Sequence, residues 1–351
     1  MIRERQSPPE RRSLPHRPRL VPRLDPSVVP SAATALVLVA AFLLGAARYE
    51  NFASWMVLRN LLVDNAYLGI AAVGATFVIL AGGIDLSVGA VMAMTSVLVA
   101  RLVEHAGVHP AVAIAVAILA GMSFGLAQGS LIQLFGLPAF LVTLAGMFLA
   151  RGAAFALHPQ SLGVRHPFVA QLLNDSLSLH IPLGPRGVVI PITVVVAGAV
   201  IAITWWTLRQ TPFGRAVHAI GDDEHAATLM GVPVGRVRVM TYAIAGGLSA
   251  LAGVAFTLYQ QAGDPTACKG LELDAIAAVV IGGTLLRGGV GGVIGTLMGV
   301  LILGLIQTII TFEGDLSSWW TRIVVGVLVL AFVALQRGVD AIASRRLTSA
   351  A

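Results

Sequence analysis

Residues able to do chemistry are few in this chain. Its 351 residues hold one cysteine, Cys268, and one lysine, Lys269. A single thiol excludes an internal disulfide and a cysteine-built metal cluster. Lys269 is followed by Gly270, so no Gly-x-x-x-x-Gly-Lys-Ser/Thr phosphate loop can be written and the chain is not itself an ATPase of that kind. His105 and His109 stand four apart, as metal ligands on a helix face do, but Gly107 and Pro110 favour a loop there. No His-Glu-x-x-His run occurs. The expectation is a chain with no catalytic residue, no metal and no cofactor. The polar residues that stand out are Asn65, Asp85 and Ser87, and the acidic run Asp222, Asp223 and Glu224. Asp64, Asn65, Glu272 and Asp274 lie near the ends of apolar runs, where solvation is cheap, so no chain of carboxylates for proton relay is evident.

The elements that must position these residues are membrane helices. The chain is 57% hydrophobic and 11% charged, against roughly a quarter charged in soluble domains. Apolar runs rich in Ala, Val, Leu, Ile and Gly reach the roughly 20 residues that a helix needs to cross a hydrocarbon core of about 30 Å. They do not alternate as barrel strands would. The fold class is an all-α integral membrane protein. Ten candidate passes are read at 32–47, 61–81, 86–103, 110–132, 138–157, 188–208, 237–260, 274–286, 292–312 and 318–336. The 274–286 segment is short, which fits a re-entrant piece or half of a broken helix buried in protein.

Arg3, Arg5, Arg11, Arg12, Arg17, Arg19 and Arg23 crowd the N-terminal 25 residues among prolines. They predict a disordered cytoplasmic tail over 1–30 that can touch anionic lipid headgroups. A cleaved signal peptide competes, with 32–44 as its apolar part, but the region before it is long and proline-rich and further passes follow. With the tail inside and ten crossings, the loop at 209–238 and the tail at 339–351 are also cytoplasmic, and 31–338 is the transmembrane domain. The arginines at 209, 215, 236, 238, 337, 345 and 346 then join the tail on the inner side.

Three segments could carry function. In the inner loop, Asp222 and Asp223 can cap a short helix starting near Glu224, and Gly231 before Pro233 stops it. Ala226 and Ala227 with Leu229 and Met230 would give it a snug face and an apolar knob. A cytoplasmic partner could grip that helix, or it could pack on its own bundle; both stay open. In Gly82-Gly83-Ile84-Asp85-Leu86-Ser87-Val88-Gly89 the two glycines permit a tight turn and Asp85 or Ser87 can cap the next helix. A partial echo occurs at Gly282 and Gly283. Paired breaks of this kind point to a pathway in transporters, and plain capping also accounts for Asp85. Gly121, Gly125 and Gly129, and Gly295 and Gly299, repeat every four residues, which suits close helix packing.

The runs GGIDLSVG (82–89), LPAFLVTLAGMFLARG (137–152) and LDAIAAVVIGGTLLRGGVGG (273–292) resemble the ribose-type sugar permeases of bacterial ATP-binding cassette importers. The resemblance covers about 52–338. Within that family, 64–92, 137–152 and 304–338 look closest to the galactofuranose-importer permease. It implies an inner-membrane subunit that carries a monosaccharide by alternating access. It also implies a second permease chain, a cytoplasmic ATPase and a periplasmic sugar-binding protein. The loop around Asp222, Asp223, Glu224, Ala226, Ala227, Leu229, Met230 and Gly231 is similar to the family's Glu-Ala-Ala-x-x-x-Gly coupling helix. Here Glu224 is displaced by one residue, with His225 intervening. Sugar hydroxyls would meet backbone near the glycine breaks at Gly82, Gly83, Gly89, Gly282 and Gly283, with Asn65, Asp85 and Ser87 as pathway side chains. The rival from another class is an ion-driven secondary transporter, which needs no ATPase. An enzyme could use only the outer 158–187 segment with His158, His166 and His180, and a structural scaffold would lack transport altogether.

Overall fold

The computed structural model describes residues 28–169, 179–181, 188–315, 317 and 319–348. The tail expected at 1–30 lies outside the described residues up to position 27, as do parts of the 158–187 segment and positions 349–351 of the C-terminal tail.

The helices with both ends among the described residues are, in chain order, α1 (Val28–Arg48), α2 (Trp55–Asp64), α3 (Ala66–Leu80), α4 (Val88–Glu104), α5 (Pro110–Phe135), α6 (Ala139–Leu157), α7 (Ile192–Gln210), α8 (Pro212–Asp222), α9 (Glu224–Leu229), α10 (Val234–Gln260), α11 (Leu271–Ile281), α12 (Val293–Glu313) and α13 (Trp319–Thr348). Two small antiparallel ladders join them: β1 (Leu162–Gly163) with β4 (Ala262–Gly263), and β2 (Leu179–Ile181) with β3 (Val188–Ile190).

Among the described residues, six helices are long and apolar enough to cross a membrane: α5, α6, α7, α10, α12 and the 319–338 part of α13. A seventh span is available if α2 and α3 count as one, bent by 49° at their break. The expected ten is therefore not met by length. Segment 32–48, the 17 residues of α4 and the 11 of α11 are shorter; at 1.5 Å per residue, α11 reaches only about 16 Å. The pass expected at 61–81 is two helices, broken at Asn65, and of the segment expected at 274–286 only the part up to 281 is helical, in a helix that starts three residues earlier and ends five earlier. Large apolar side chains such as Leu134, Phe148 and Leu330 stand well exposed on the outside of the bundle, the arrangement a bilayer tolerates and water does not.

Every residue of α3 except Tyr67 is buried, so this helix is apolar all round because protein surrounds it on all sides. It packs on α10, α11, α7 and α12. Close approach comes from the four-residue glycine repeats. A Cβ at Gly125 would collide with the Tyr242 carbonyl of α10, and one at Gly299 with the Ala278 carbonyl of α11. The letters Gly121-Met122-Ser123-Phe124-Gly125 match the Gly-x-Ser-x-Gly pattern of a nucleophile elbow. They lie inside α5 with Ser123 exposed, not on the strand-to-helix turn that the chemistry needs.

Candidate functional site

Breaking a helix inside a bundle frees carbonyls that lipid cannot satisfy, so each break needs internal donors. At Asn65 the side-chain Nδ2 donates to the Leu61 carbonyl at 2.8 Å. At the far end of α3, Gly82 has φ +78, and its N–H donates to Ile79 while that of Gly83 donates to Val78, both at 2.9 Å. This is a Schellman turn, which glycine permits because it has no Cβ. The same turn ends α11. There Gly283 has φ +90, its N–H donates to Val280 at 2.9 Å, and the Thr284 N–H donates to Val279 at 3.2 Å. The two glycine breaks are thus structurally equivalent, with Gly82 matching Gly283 rather than Gly282. The last carbonyls of α11 are covered by Thr34 Oγ1, which donates to Ile281 at 2.5 Å, and by Gln336 Nε2, which donates to Val280 at 3.4 Å.

Asp85 and Ser87 are buried together behind the first break. Asp85 Oδ1 accepts from the Ser87 N–H at 2.8 Å and from its hydroxyl at 2.6 Å, closing the turn that leads into α4. Ser87 occupies the N-cap position of α4 but makes no side-chain cap bond there. Asn65 precedes the first residue of the 15-residue α3, and the segment after the Gly82 turn runs back beside that helix, since Val88 shares a buried cluster with Ala66 and Ile70. Among the described residues no hydrogen bond joins Asn65 to Asp85 or Ser87. Gly89 lies inside α4, where a Cβ would collide with the Glu272 carboxylate and the Cys268 carbonyl.

The loop at 209–238 is two helices, of which only the second was read from the sequence. Thr211 caps α8 by accepting from the Gly214 N–H at 3.1 Å, with Pro212 in the first turn. Asp222 is the last residue of α8 and caps nothing. Asp223 alone caps α9, accepting from the Ala226 N–H at 3.0 Å. Gly231, at φ +81, ends α9 with another Schellman turn, and the Val232 N–H donates to Ala227 at 3.1 Å. Ala227 is fully buried with Val217 and Ile220 of α8 in a core that includes Phe77 and Leu80 of α3. Leu229 and Met230 point the other way, 76% and 72% exposed. Glu224 is held by Arg238 at 2.5 Å, and Arg238 also donates to Gln133 Oε1 at 2.9 Å, which ties α9 to α10 and α5. Beside this junction a cavity of about 390 Å³ is lined by Gly82, Gly83, Gly221, Glu224, Arg238 and Tyr242 among others.

A pair of short helices anchored on the bundle thus displays an apolar knob beside the ends of broken helices. In comparison with known proteins, the family of the branched-chain amino acid transport system, permease component, matches residues 57–333. The chain belongs to this family. The permease is 45% identical to the inner membrane ABC transporter permease protein YjfF of Escherichia coli over 92% of this chain and 96% of that one. It is 37% identical to the fructose import permease protein FruG of Bifidobacterium longum, covering 91% and 94% of the two chains. It is 42% identical to the ribose import permease protein RbsC of Bacillus subtilis, covering 82% and 86%. No solved structure matches the permease.

Proposed function

We propose that this chain is the membrane-spanning permease subunit of an ATP-binding cassette importer for a monosaccharide, with galactofuranose as the sugar. Support for import of a sugar comes from the relatives named for ribose and fructose import, which cover most of the chain. Support for galactofuranose comes from the resemblance over 64–92, 137–152 and 304–338. ATP hydrolysis belongs to a separate cytoplasmic ATPase, consistent with the missing phosphate loop. A second permease chain and a periplasmic sugar-binding protein complete the assembly. The permease domain is 31–338 with the coupling loop at 209–238, and the segments at 1–30 and 339–351 are its cytoplasmic tails, the first lying along anionic lipid. Ten crossings arise if α1, α4 and α11 each count as one alongside the six long helices and the bent pair, and this puts both termini in the cytoplasm of a bacterial inner membrane.

In the mechanism, ATP closes the partner cassettes, the coupling element at Asp222, Asp223, Glu224, Ala226, Ala227, Leu229, Met230 and Gly231 moves with them, and the bundle rocks between inward and outward openings. Sugar hydroxyls pass the backbone exposed at the glycine breaks, with Asp85, Ser87 and Asn65 as the pathway side chains. What carries this reading is the apolar pair Leu229 and Met230, exposed at the end of a short helix that is anchored through buried Ala227. Copurification from mild detergent tests it. A cassette ATPase is expected with wild type and is expected to be lost from Leu229→Glu/Met230→Glu, a variant that leaves the buried Ala227 untouched. Equal recovery of the ATPase with both proteins would remove α9 as its docking element.

A further inference from the structure

Three segments far apart in sequence meet through bare backbone beside the coupling helix. The turn at Gly288 and Gly289 donates its Gly289 N–H to the Leu80 carbonyl, the last of α3, at 3.0 Å. Gly221, one residue before the end of α8, lies against both partners of that bond. A Cβ on Gly221 would collide with the Leu80 carbonyl and the Gly289 nitrogen. A Cβ on Gly288 would sit 2.8 Å from the Gly82 nitrogen and 2.9 Å from the Gly221 Cα, and one on Gly289 would sit 2.8 Å from the Asp222 Cα. No side chain fits between the three segments, so none of them can shift without pushing backbone.

The parts on either side of this contact are stiff. The loop from 284 to 292 is closed on itself: the Leu285 N–H donates to Val290 at 3.0 Å, the Gly288 N–H to Leu285 at 2.9 Å, and the Gly292 N–H to Thr284 Oγ1 at 3.4 Å. It leads directly into α12. On the other side Val217 and Ile220 of α8 share a buried cluster with Phe77 and Leu80 of α3. We infer that Gly82, Gly221, Gly288 and Gly289 form a joint that stays closed through the transport cycle and carries displacement of the coupling helices into the ends of α3 and α12. The inference rests on α8 and α9 being the ATPase-coupled element. It adds which residues pass the motion on, as positioning residues that touch no sugar.

Gly221→Ala tests the joint. Gly221 lies within α8, where alanine suits the backbone better than glycine, so the variant disturbs the contact and leaves the helix intact. Gly198→Ala is the control, because a Cβ there meets nothing within 4 Å. In proteoliposomes holding the assembled complex, Gly221→Ala is expected to keep its ATPase subunit and hydrolyse ATP within about twofold of wild type. Its sugar uptake is expected to fall at least tenfold, while Gly198→Ala transports normally. Uptake by Gly221→Ala within twofold of wild type would overturn the joint and leave the docking reading standing. A wild-type preparation that binds no ATPase would instead overturn both. If Gly221→Ala does not assemble, hydrogen exchange in the wild-type complex decides. Protection of the Gly289 amide that is equal with and without trapped nucleotide supports a closed joint, and protection lost in the nucleotide-bound state overturns it.

Discussion

Cys268 shows how a residue that stands out in the sequence can be chemically silent in the fold. It sits in the loop between α10 and α11, packed with Ala66, Ile70 and Phe256. Burial pushes its thiol up to about 12, with nearby Glu272 and Asp264 adding to the rise and Arg151 opposing it. The thiolate is the reactive form, so at pH 7.5 this thiol carries on the order of a thousandfold less of it than an exposed cysteine near pH 8.5. Wild-type protein is therefore expected to label slowly with a maleimide at pH 7.5, and faster as pH rises toward 12. Leu229→Cys in a Cys268→Ser background should label rapidly. Equal rates at the two positions would show that Cys268 is open to solvent. Asp85 and Ser87 illustrate the converse: both could be named in advance, yet their mutual hydrogen bonds give them a turn-closing role before any contact with sugar.

At the scale of elements, the packing of α5 on α10 depends on glycines whose spacing was plain in the sequence, while their partner helix was not. Gly121 and Gly125 lie against Gly246 and Tyr242, and Gly246 returns the contact to Gly125. Gly125→Leu is expected to destabilise the folded protein by at least the ~1 to 3 kcal/mol typical of overpacking, read as a lower unfolding temperature in detergent. Gly152→Leu, where a Cβ meets nothing within 4 Å, should change it little. The broken helices follow a related logic. The glycine breaks after α3 and α11 were legible because glycine pairs interrupt apolar runs, as was the short length of α11. The break at Asn65 carried no glycine or proline, and only the Asn65 bond to Leu61 and its contact with Gly304 account for it. Thr211 and Pro212 form a good start signal for α8, but its 11 residues are too few for a pass and only Asp223 separates it from α9.

For the whole molecule, the proposed importer reading requires that sugar move only when another protein hydrolyses ATP. The purified chain alone in vesicles is expected to take up no galactofuranose under a proton or sodium gradient, and uptake should appear when the cassette ATPase, the second permease chain, the binding protein and ATP are supplied. Gradient-driven uptake by the chain alone would put an ion-driven transporter in its place. Amino-acid order alone determined that the chain is a helical membrane protein, where most of its passes lie and that it resembles sugar permeases. Hydrophobicity, charge bias and turn residues are local properties, readable a few residues at a time. Only the tertiary structure decided that the segment after Gly82 runs back to place Val88 with Ala66 and Ile70, that α10 is the partner of the α5 glycines, and that Gly221 lies against Leu80 and Gly289. Such contacts join residues about twenty to more than a hundred positions apart, and they are set by which helix faces pack together, a choice no local pattern encodes.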